Sequence, residues 1–329
     1  MAVATLLFPA RDRFGGQALP EAIARAVGRG DALAPGAAGA KAQLLRHFDL
    51  VPRGWPAAAL TRSQDASDAA SAQWLRADPA WVRPDINGAR LFAIGDGMQL
   101  GPDDADALLP SLRTLFGDAG FPIDAPVPSR WYLRLPTGAR LPDFPAPEDA
   151  LGADLFEALV GIDPAQDAAR RRWRSLLTEA QVILHNHPWN GKRSERGLPP
   201  VNSLWFWGGG SLPAAVTTTC ARVRSDDVLV RALAARSGID VQAKGRGFDT
   251  PTDDLLVDLR DARDLAQVSA QWLGPALAAL RGGGLEELRL DFGDGAGCAL
   301  RRRHWWRVWR TDAAGFSRLP PLPQQPGDR

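Results

Sequence analysis

The densest group of chemically able side chains lies between Glu179 and Pro213, in EAQVILHNHPWNGKRSERGLPPVNSLWFWGGGSLP. On its approach, Arg170, Arg171, Arg172, Arg174, Lys192, Arg193 and Arg196 face only Glu179 and Glu195, a local excess of +5. If these side chains converge they attract a phosphate or carboxylate; if they spread over a helix face and a loop they only solvate it. His185 and His187 form an H-x-H pair. On a helix that spacing separates two rings by about 200°, so a shared metal needs an unwound end, and no third histidine lies nearby to complete a zinc site. Gln181 and His185, four residues apart, can share a face and a hydrogen bond. Asn190, Lys192, Arg193 and Asn202 fall on loops, where polar groups are freer to act. The ligand-binding set is therefore His185, His187, Asn190, Arg193, Arg196 and Asn202, as hydrogen-bond and charge partners. No catalytic residue and no metal ligand set is assigned.

Other chemistry is thinner. Asp258 and Asp261 end the apolar run LLVDL and, with His185 and His187, are the ligands a metal-dependent enzyme would have to use. Arg301–Arg310, RRRHWWRVWR, alternates basic and aromatic groups as single-strand nucleic-acid surfaces do, although it also follows a strand whose edge wants charge. No G-x-S-x-G elbow is present, and Gly208–Gly210 lacks a phosphate-loop context. Cys220 and Cys298 read as buried structural thiols.

These groups need elements to hold them. Ala2–Pro9 reads as a first buried strand, and the stretch after Pro20 as a short helix with a flexible connection. Leu60–Leu75 reads as a helix with a mostly exposed face. Gly95-Asp96-Gly97 reads as a hairpin turn between apolar arms, followed by a helix from Asp103 to Phe116 and a strand at Arg130–Pro136. The helix Asp167–His187 carries a stripe of Trp173, Leu176, Leu177, Ala180 and Leu184 and stops before Pro188. Ser203–Trp207 reads as a strand ending at the three glycines. Thr219–Val223, a helix capped by Ser225, and Ile239–Val241 make a strand, helix and strand in the order of a parallel βαβ unit. Leu255–Leu259 is a further buried strand, Asp264–Arg281 a helix broken near Pro275, and Glu286–Arg302 a hairpin about Gly293-Asp294-Gly295. The fold class is α/β: a mostly parallel sheet flanked by helices, with a smaller α+β subdomain. The division expected is 1–84 as an N-terminal strand and helical part of the core, 85–147 as the subdomain, 148–318 as the α/β core with its hairpin, and 319–329 as a disordered tail. Its boundary rests on the four prolines from Pro136 to Pro147.

Composition bounds the partners. Among 329 residues, 39 Lys+Arg balance 38 Asp+Glu, which argues against a bulk polyanion binder. The 45% apolar content allows a packed core. No run approaches the roughly 20 apolar residues a bilayer requires, and two cysteines make no disulfide framework. A cytoplasmic protein without a membrane partner is expected.

The string LLTEAQVILHNHPWNGKRSERGLPPVNSLWFWGGGSLP, with INGARLFAIGDGMQL and SRWYLRLP, resembles a proteobacterial family labelled regulatory protein RpfE or phosphoglycerate mutase. More distantly, His187–Gly210 is similar to archaeal-type cofactor-independent phosphoglycerate mutases. That resemblance implies an alkaline-phosphatase-like fold and a chemistry of two divalent metals, held by Asp and His, with a serine carrying the phosphoryl group. Against the pattern, the first strand, TLLFPARD, offers Pro9 where a metal-binding Asp is implied, and no D-x-x-x-H follows. The expectation is a non-catalytic, mutase-related protein without a cofactor that binds a small anionic ligand or a protein partner. The alternatives are a metal-dependent mutase or phosphatase, and single-strand binding through Arg301–Arg310.

Overall fold

A computed structural model describes residues 2–85, 88–150, 167–310 and Phe316. The chain divides into two compact units, Met1–Val51 with Ala215–Arg329, and Pro52–Ala214. The first opens with strands β1 (Ala2–Phe8), β2 (Asp31–Ala32) and β3 (Asp49–Val51). The second holds β4 (Gln73–Asp85), β5 (Gly88–Ile94), β6 (Ile123–Val127), β7 (Arg130–Leu135) and β8 (Ser203–Ser211). The chain then completes the first unit with β9 (Ala215–Thr217), β10 (Arg222–Arg224), β11 (Asp240–Gln242), β12 (Leu255–Asp258), β13 (Leu285–Phe292) and β14 (Gly297–Arg301).

In the first unit the sheet order is β11-β10-β12-β1-β13-β14-β2. The first five are mutually parallel, β14 pairs antiparallel with β13, and β2 pairs antiparallel with β14, so the mostly parallel α/β class holds. β1 is apolar without alternation because a central parallel strand is covered on both faces. One face presents Leu6, Phe8, Val257, Leu290 and Phe292 to Ile23 and Val27 of helix Glu21–Gly28 and to Leu277 and Leu280 of helix Gly274–Gly282. Each such side chain contributes about 1.5–3 kcal/mol on burial. The closing hairpin turns at Gly295, where φ is +84° and an added Cβ would meet the Gly36 carbonyl oxygen at 2.0 Å; only glycine fits. β3 pairs antiparallel with β9, Val51 opposite Ala215.

In the second unit β5-β4-β7-β6 form an antiparallel sheet, and β8 pairs with β4. Helices Pro102–Asp118 and Asp167–His185 cover one face. The expected stripe of Trp173, Leu176, Leu177, Ala180 and Leu184 is buried there, with Trp173 stacked on Phe121 at 5.0 Å. Near helix Ala57–Asp65 lies a buried polar group. Arg76 forks onto Asp78 with two bonds of 2.8 Å, Trp207 donates to Asp78 at 2.7 Å, and Tyr132 donates to Asp65 with its hydroxyl oxygen 3.0 Å from Thr61 Oγ1.

Several local expectations are corrected. Gly95–Met98 forms a 3-10 turn leading to helix Pro102–Asp118, and β5 pairs back onto β4, so Asp96 closes no hairpin. The stretch Leu60–Leu75 is split. Ala57–Arg62 is buried rather than exposed, and Gln73–Leu75 already belong to β4. The strand at Ser203 runs through the glycines to Ser211, because Gly208, at φ +66°, lets it approach Ala57, whose Cβ would lie 2.7 Å from an added Cβ. Pro136–Pro147 is interior to the second unit, not a boundary: β8 pairs with β4 along its length and joins residues 203–211 to the preceding sheet. Residues 317–329, including the expected tail, lie outside the described residues.

Candidate functional site

Parallel α/β sheets bind ligands beyond the carboxyl ends of their strands, where successive connections leave in opposite directions. Here the chain leaves β10 for β11 at the sheet edge and leaves β12 toward β13 on the other side, so the switch lies between β10 and β12. Their carboxyl ends carry Ser225 and Asp258.

Register places a second carboxylate close to the first. Leu7 of β1 is opposite both Asp258 on β12 and Asp291 on β13, so the two carboxylates flank Leu7 on one sheet face. Asp258 accepts bonds from Ser225 Oγ at 2.9 Å, Arg260 Nε at 2.8 Å and Arg260 Nη2 at 2.9 Å. Burial pushes this carboxyl up, but the Arg260 charge and the bonds of Arg260 and Ser225 outweigh it and hold it below the usual range. Asp291 accepts from Arg46 Nε at 3.0 Å, from Arg46 Nη2, and lies 2.8 Å from His47 Nε2. Burial is again outweighed, here by His47 and Arg46, and the carboxyl is held down. Farther along the same edge Asp294 meets Arg11 at 2.6 Å and Asp261 meets Lys244. Each of these four carboxylates therefore already has a cation.

A two-metal phosphoryl transfer needs carboxylate and imidazole groups converging with open lone pairs. Among the described residues no group of three or more His, Cys, Asp or Glu could hold a metal ion. The carboxylates that stand at the strand ends spend their lone pairs on guanidinium, hydroxyl and imidazole donors, and Pro9 follows β1. The residues present do not fit such a centre.

The six residues expected to bind an anion are in the second unit. Asn190 Nδ2 donates to the carbonyls of Leu184 at 2.8 Å and Val201 at 2.9 Å, and its Oδ1 accepts from Val201 N at 2.8 Å. Asn202 bonds Val82 N and O at 2.9 and 2.8 Å. Arg193 is 0% exposed, 2.8 Å from Asp104, and donates to the Pro199 and Met98 carbonyls. Through these bonds all three brace backbone. His187 Nδ1 accepts from Trp189 N at 3.3 Å, while His185 and Arg196 are exposed. Gln181 donates to Ser203 Oγ at 3.0 Å instead of meeting His185. Of the basic stretch, Arg172 lies over Phe121 and Lys192 over Trp189. In Arg301–Arg310, Arg301, Arg307 and Arg310 meet Asp31, leaving Arg302 and Arg303 exposed.

Asp258 and Asp261 are legible in the sequence as candidate ligands, whereas Arg46, His47 and Asp291, with Arg260, emerge from the fold. Of these, Arg260 carries a local signal, since two-residue spacing on an extended chain returns to the same side. From sequence Ser225 reads as the helix cap. Asp227 takes that role, its Oδ1 accepting Leu229 N and Val230 N at 2.9 Å, which leaves Ser225 to bond Asp258.

No protein-family profile matches the chain. Over 101 residues it is 34% identical to a probable 2,3-bisphosphoglycerate-independent phosphoglycerate mutase of Geobacter sulfurreducens, covering 29% of this chain and 24% of that one. Over 67 residues it is 34% identical to a 2,3-bisphosphoglycerate-independent phosphoglycerate mutase of Methanosarcina barkeri, covering 20% and 16%. The matched stretches thus span a quarter or less of these relatives. Among solved structures, a cofactor-independent phosphoglycerate mutase from Thermoplasma acidophilum aligns over 91% of this chain and 89% of its own, with 16% identity and a TM-score of 0.38. The PH0037 protein of Pyrococcus horikoshii aligns over 91% and 87%, with 13% identity and a TM-score of 0.44. The chain is distantly similar to cofactor-independent phosphoglycerate mutases.

Proposed function

We propose that this chain is a phosphoglycerate-mutase-related protein that works by binding a small anion or a protein partner, in a regulatory role, and not by metal-dependent phosphoryl transfer. The observation that carries the reading is the pair of carboxylates flanking Leu7, each closed by an arginine: Asp258 by Arg260 and Asp291 by Arg46. A guanidinium supplies fixed positive charge and directed N–H groups, but it has no open coordination position with which to lower the pKa of a water or clamp two phosphoryl oxygens. The test is metal content of the purified chain, followed by phosphoglycerate turnover with added manganese. The expected result is substoichiometric metal and no turnover; stoichiometric metal together with turnover overturns the reading in favour of a mutase or phosphatase.

One observation favours a second reading. Trp306 and Trp309 are 81% and 75% exposed, beside the exposed Arg302 and Arg303, a combination suited to stacking bases and pairing phosphates of a single strand. Salt-sensitive retention on single-stranded DNA that drops when Arg302 and Arg303 are replaced supports it; unchanged retention removes it.

A further inference from the structure

Beyond the carboxyl ends of β11 and β12 lies a cavity of about 610 Å³, within the range of small-molecule sites. Its walls come from the loop Lys244–Arg246, the loop Leu259–Asp264 and the helical turn bearing Gln267, Gln271 and Trp272. Three cations line it, Lys244, Arg246 and Arg263, against two carboxylates, Asp261 and Asp264.

The charges are unequally spent. Lys244 is paired with Asp261. Asp264 uses Oδ1 to cap the following helix, accepting Ala266 N at 2.9 Å and Gln267 N at 3.0 Å. Arg263 donates Nη1 to the carbonyls of Arg260 at 2.9 Å and Ala262 at 2.7 Å, contacts that orient a guanidinium without neutralising it. Arg246 is exposed on the Lys244–Arg246 loop, and no carboxylate among the described residues forms an ion pair with it. Two of the guanidinium groups that line the cavity are therefore in no ion pair with a carboxylate of the described residues.

Both loops are held in place by backbone that a solvated charge run would not need. In an α-helix the Gln271 carbonyl would accept from residue 275, but Pro275 has no N–H. Residues Ser269–Leu273 form a π turn there, a feature frequent at functional sites. The freed Gln271 oxygen accepts instead from Phe248 N at 2.8 Å and so ties the Lys244–Arg246 loop to the helix. Gly247 permits this approach, since an added Cβ would lie 3.0 Å from that same oxygen. On the other wall Gln17 clamps the turn, donating to Arg263 O at 2.8 Å and accepting from Leu265 N at 2.7 Å.

We infer that this cavity is a binding site for a small dianion, a phosphate ester or a dicarboxylate, held by the lining guanidinium groups of Arg246 and Arg263. It rests on the reading that the chain binds rather than transfers, and it moves the anion from the Arg170–Arg196 stretch to the first unit. Guanidinium is suited to both ligand types because its parallel N–H groups match two oxygens of either.

Calorimetric titration of the full chain with inorganic phosphate and, separately, with malonate tests the site. Saturable one-to-one binding of at least one probe is expected, and which probe binds distinguishes phosphoryl from dicarboxylate ligands. Arg246→Gln, on an exposed loop, is expected to weaken binding by about ten-fold or more, the loss typical of one charge-assisted contact, with an unchanged melting temperature. Arg263→Gln is expected to do the same, and Arg196→Gln to change nothing. Absence of binding by both probes, or equal binding by the wild type and Arg246→Gln, overturns the site. Metal-dependent turnover would overturn the parent reading whatever the titration gives, whereas a failed titration without metal or turnover removes only this site.

Discussion

Asp78 and Asp258 are both buried strand carboxylates with an arginine two residues away, and their environments drive them in opposite directions. Asp78 sits inside the second unit, forked by Arg76 and capped by Trp207, and burial raises its pKa despite Arg76 and the indole. Asp258 sits at a strand end with Ser225 and Arg260, and the same cation wins over burial. The difference is where along the strand the pair falls. Within the sheet every neighbour is protein, and desolvation dominates. At the carboxyl end the arginine reaches partly into solvent, so its charge costs less to keep, and the pair stands where a ligand can approach.

The largest expected effect breaks the interior pair. Arg76→Met leaves Asp78 buried without its cation and is expected to destabilise the second unit by about 3–5 kcal/mol in urea unfolding followed by tryptophan fluorescence. Arg76→Met with Asp78→Leu should recover most of that loss; no recovery would show that Arg76 acts through Thr61 and the rings of Tyr132 and Trp207 instead. A smaller effect separates the two carboxylates by pH. Asp258, lowered on folding, contributes stability that is present above the ordinary carboxylate pKa of about 4 and is lost as pH falls through its folded value. Asp78, raised on folding, contributes fully below that ordinary value and loses its contribution as pH climbs through its own. The stability difference between wild type and Asp258→Asn should therefore shrink in acid, while that for Asp78→Asn should move the other way. Parallel slopes would mean that the two sites are electrostatically alike. The smallest effect concerns the exposed arm of the basic stretch: Arg196→Ala should change stability by less than about 0.5 kcal/mol in the same unfolding assay. A larger loss would place Arg196 in a structural role like that of Arg193.

Periodicity carried much of the architecture. The stripe from Trp173 to Leu184, the apolar β1 and the βαβ order about Val228–Arg236 follow from local spacing, and the structure has them. What was illegible depends on partners far along the chain. Leu60–Leu75 reads as mostly exposed because it has few apolar anchors, yet Leu60–Arg62 are buried in a helix onto which β8 packs through Gly208. Arg193 reads as a free cation because its partner, Asp104, is 89 residues earlier. The strand-end pairs divide in the same way: Arg260 is two residues from Asp258, whereas Arg46 and His47 reach Asp291 across about 245 residues. A charge run records how many cations exist locally and nothing about which of them folding consumes.

The pairing of β3 with β9 has a consequence for the chain as a heritable object. Val51 and Ala215 face each other across one antiparallel ladder, so the polypeptide departs from the first unit and returns to it at neighbouring rungs. Everything from Pro52 to Ala214 is, in topological terms, an extended hairpin loop between two adjacent strands. Such a tip tolerates lengthening, replacement or excision, because the parallel sheet closes through β12, β1 and β13 without using any residue of the loop. Each unit can therefore change under its own constraints: the strand-end arginines and the cavity beside them belong to the first, and the aromatic, ion-paired interior to the second.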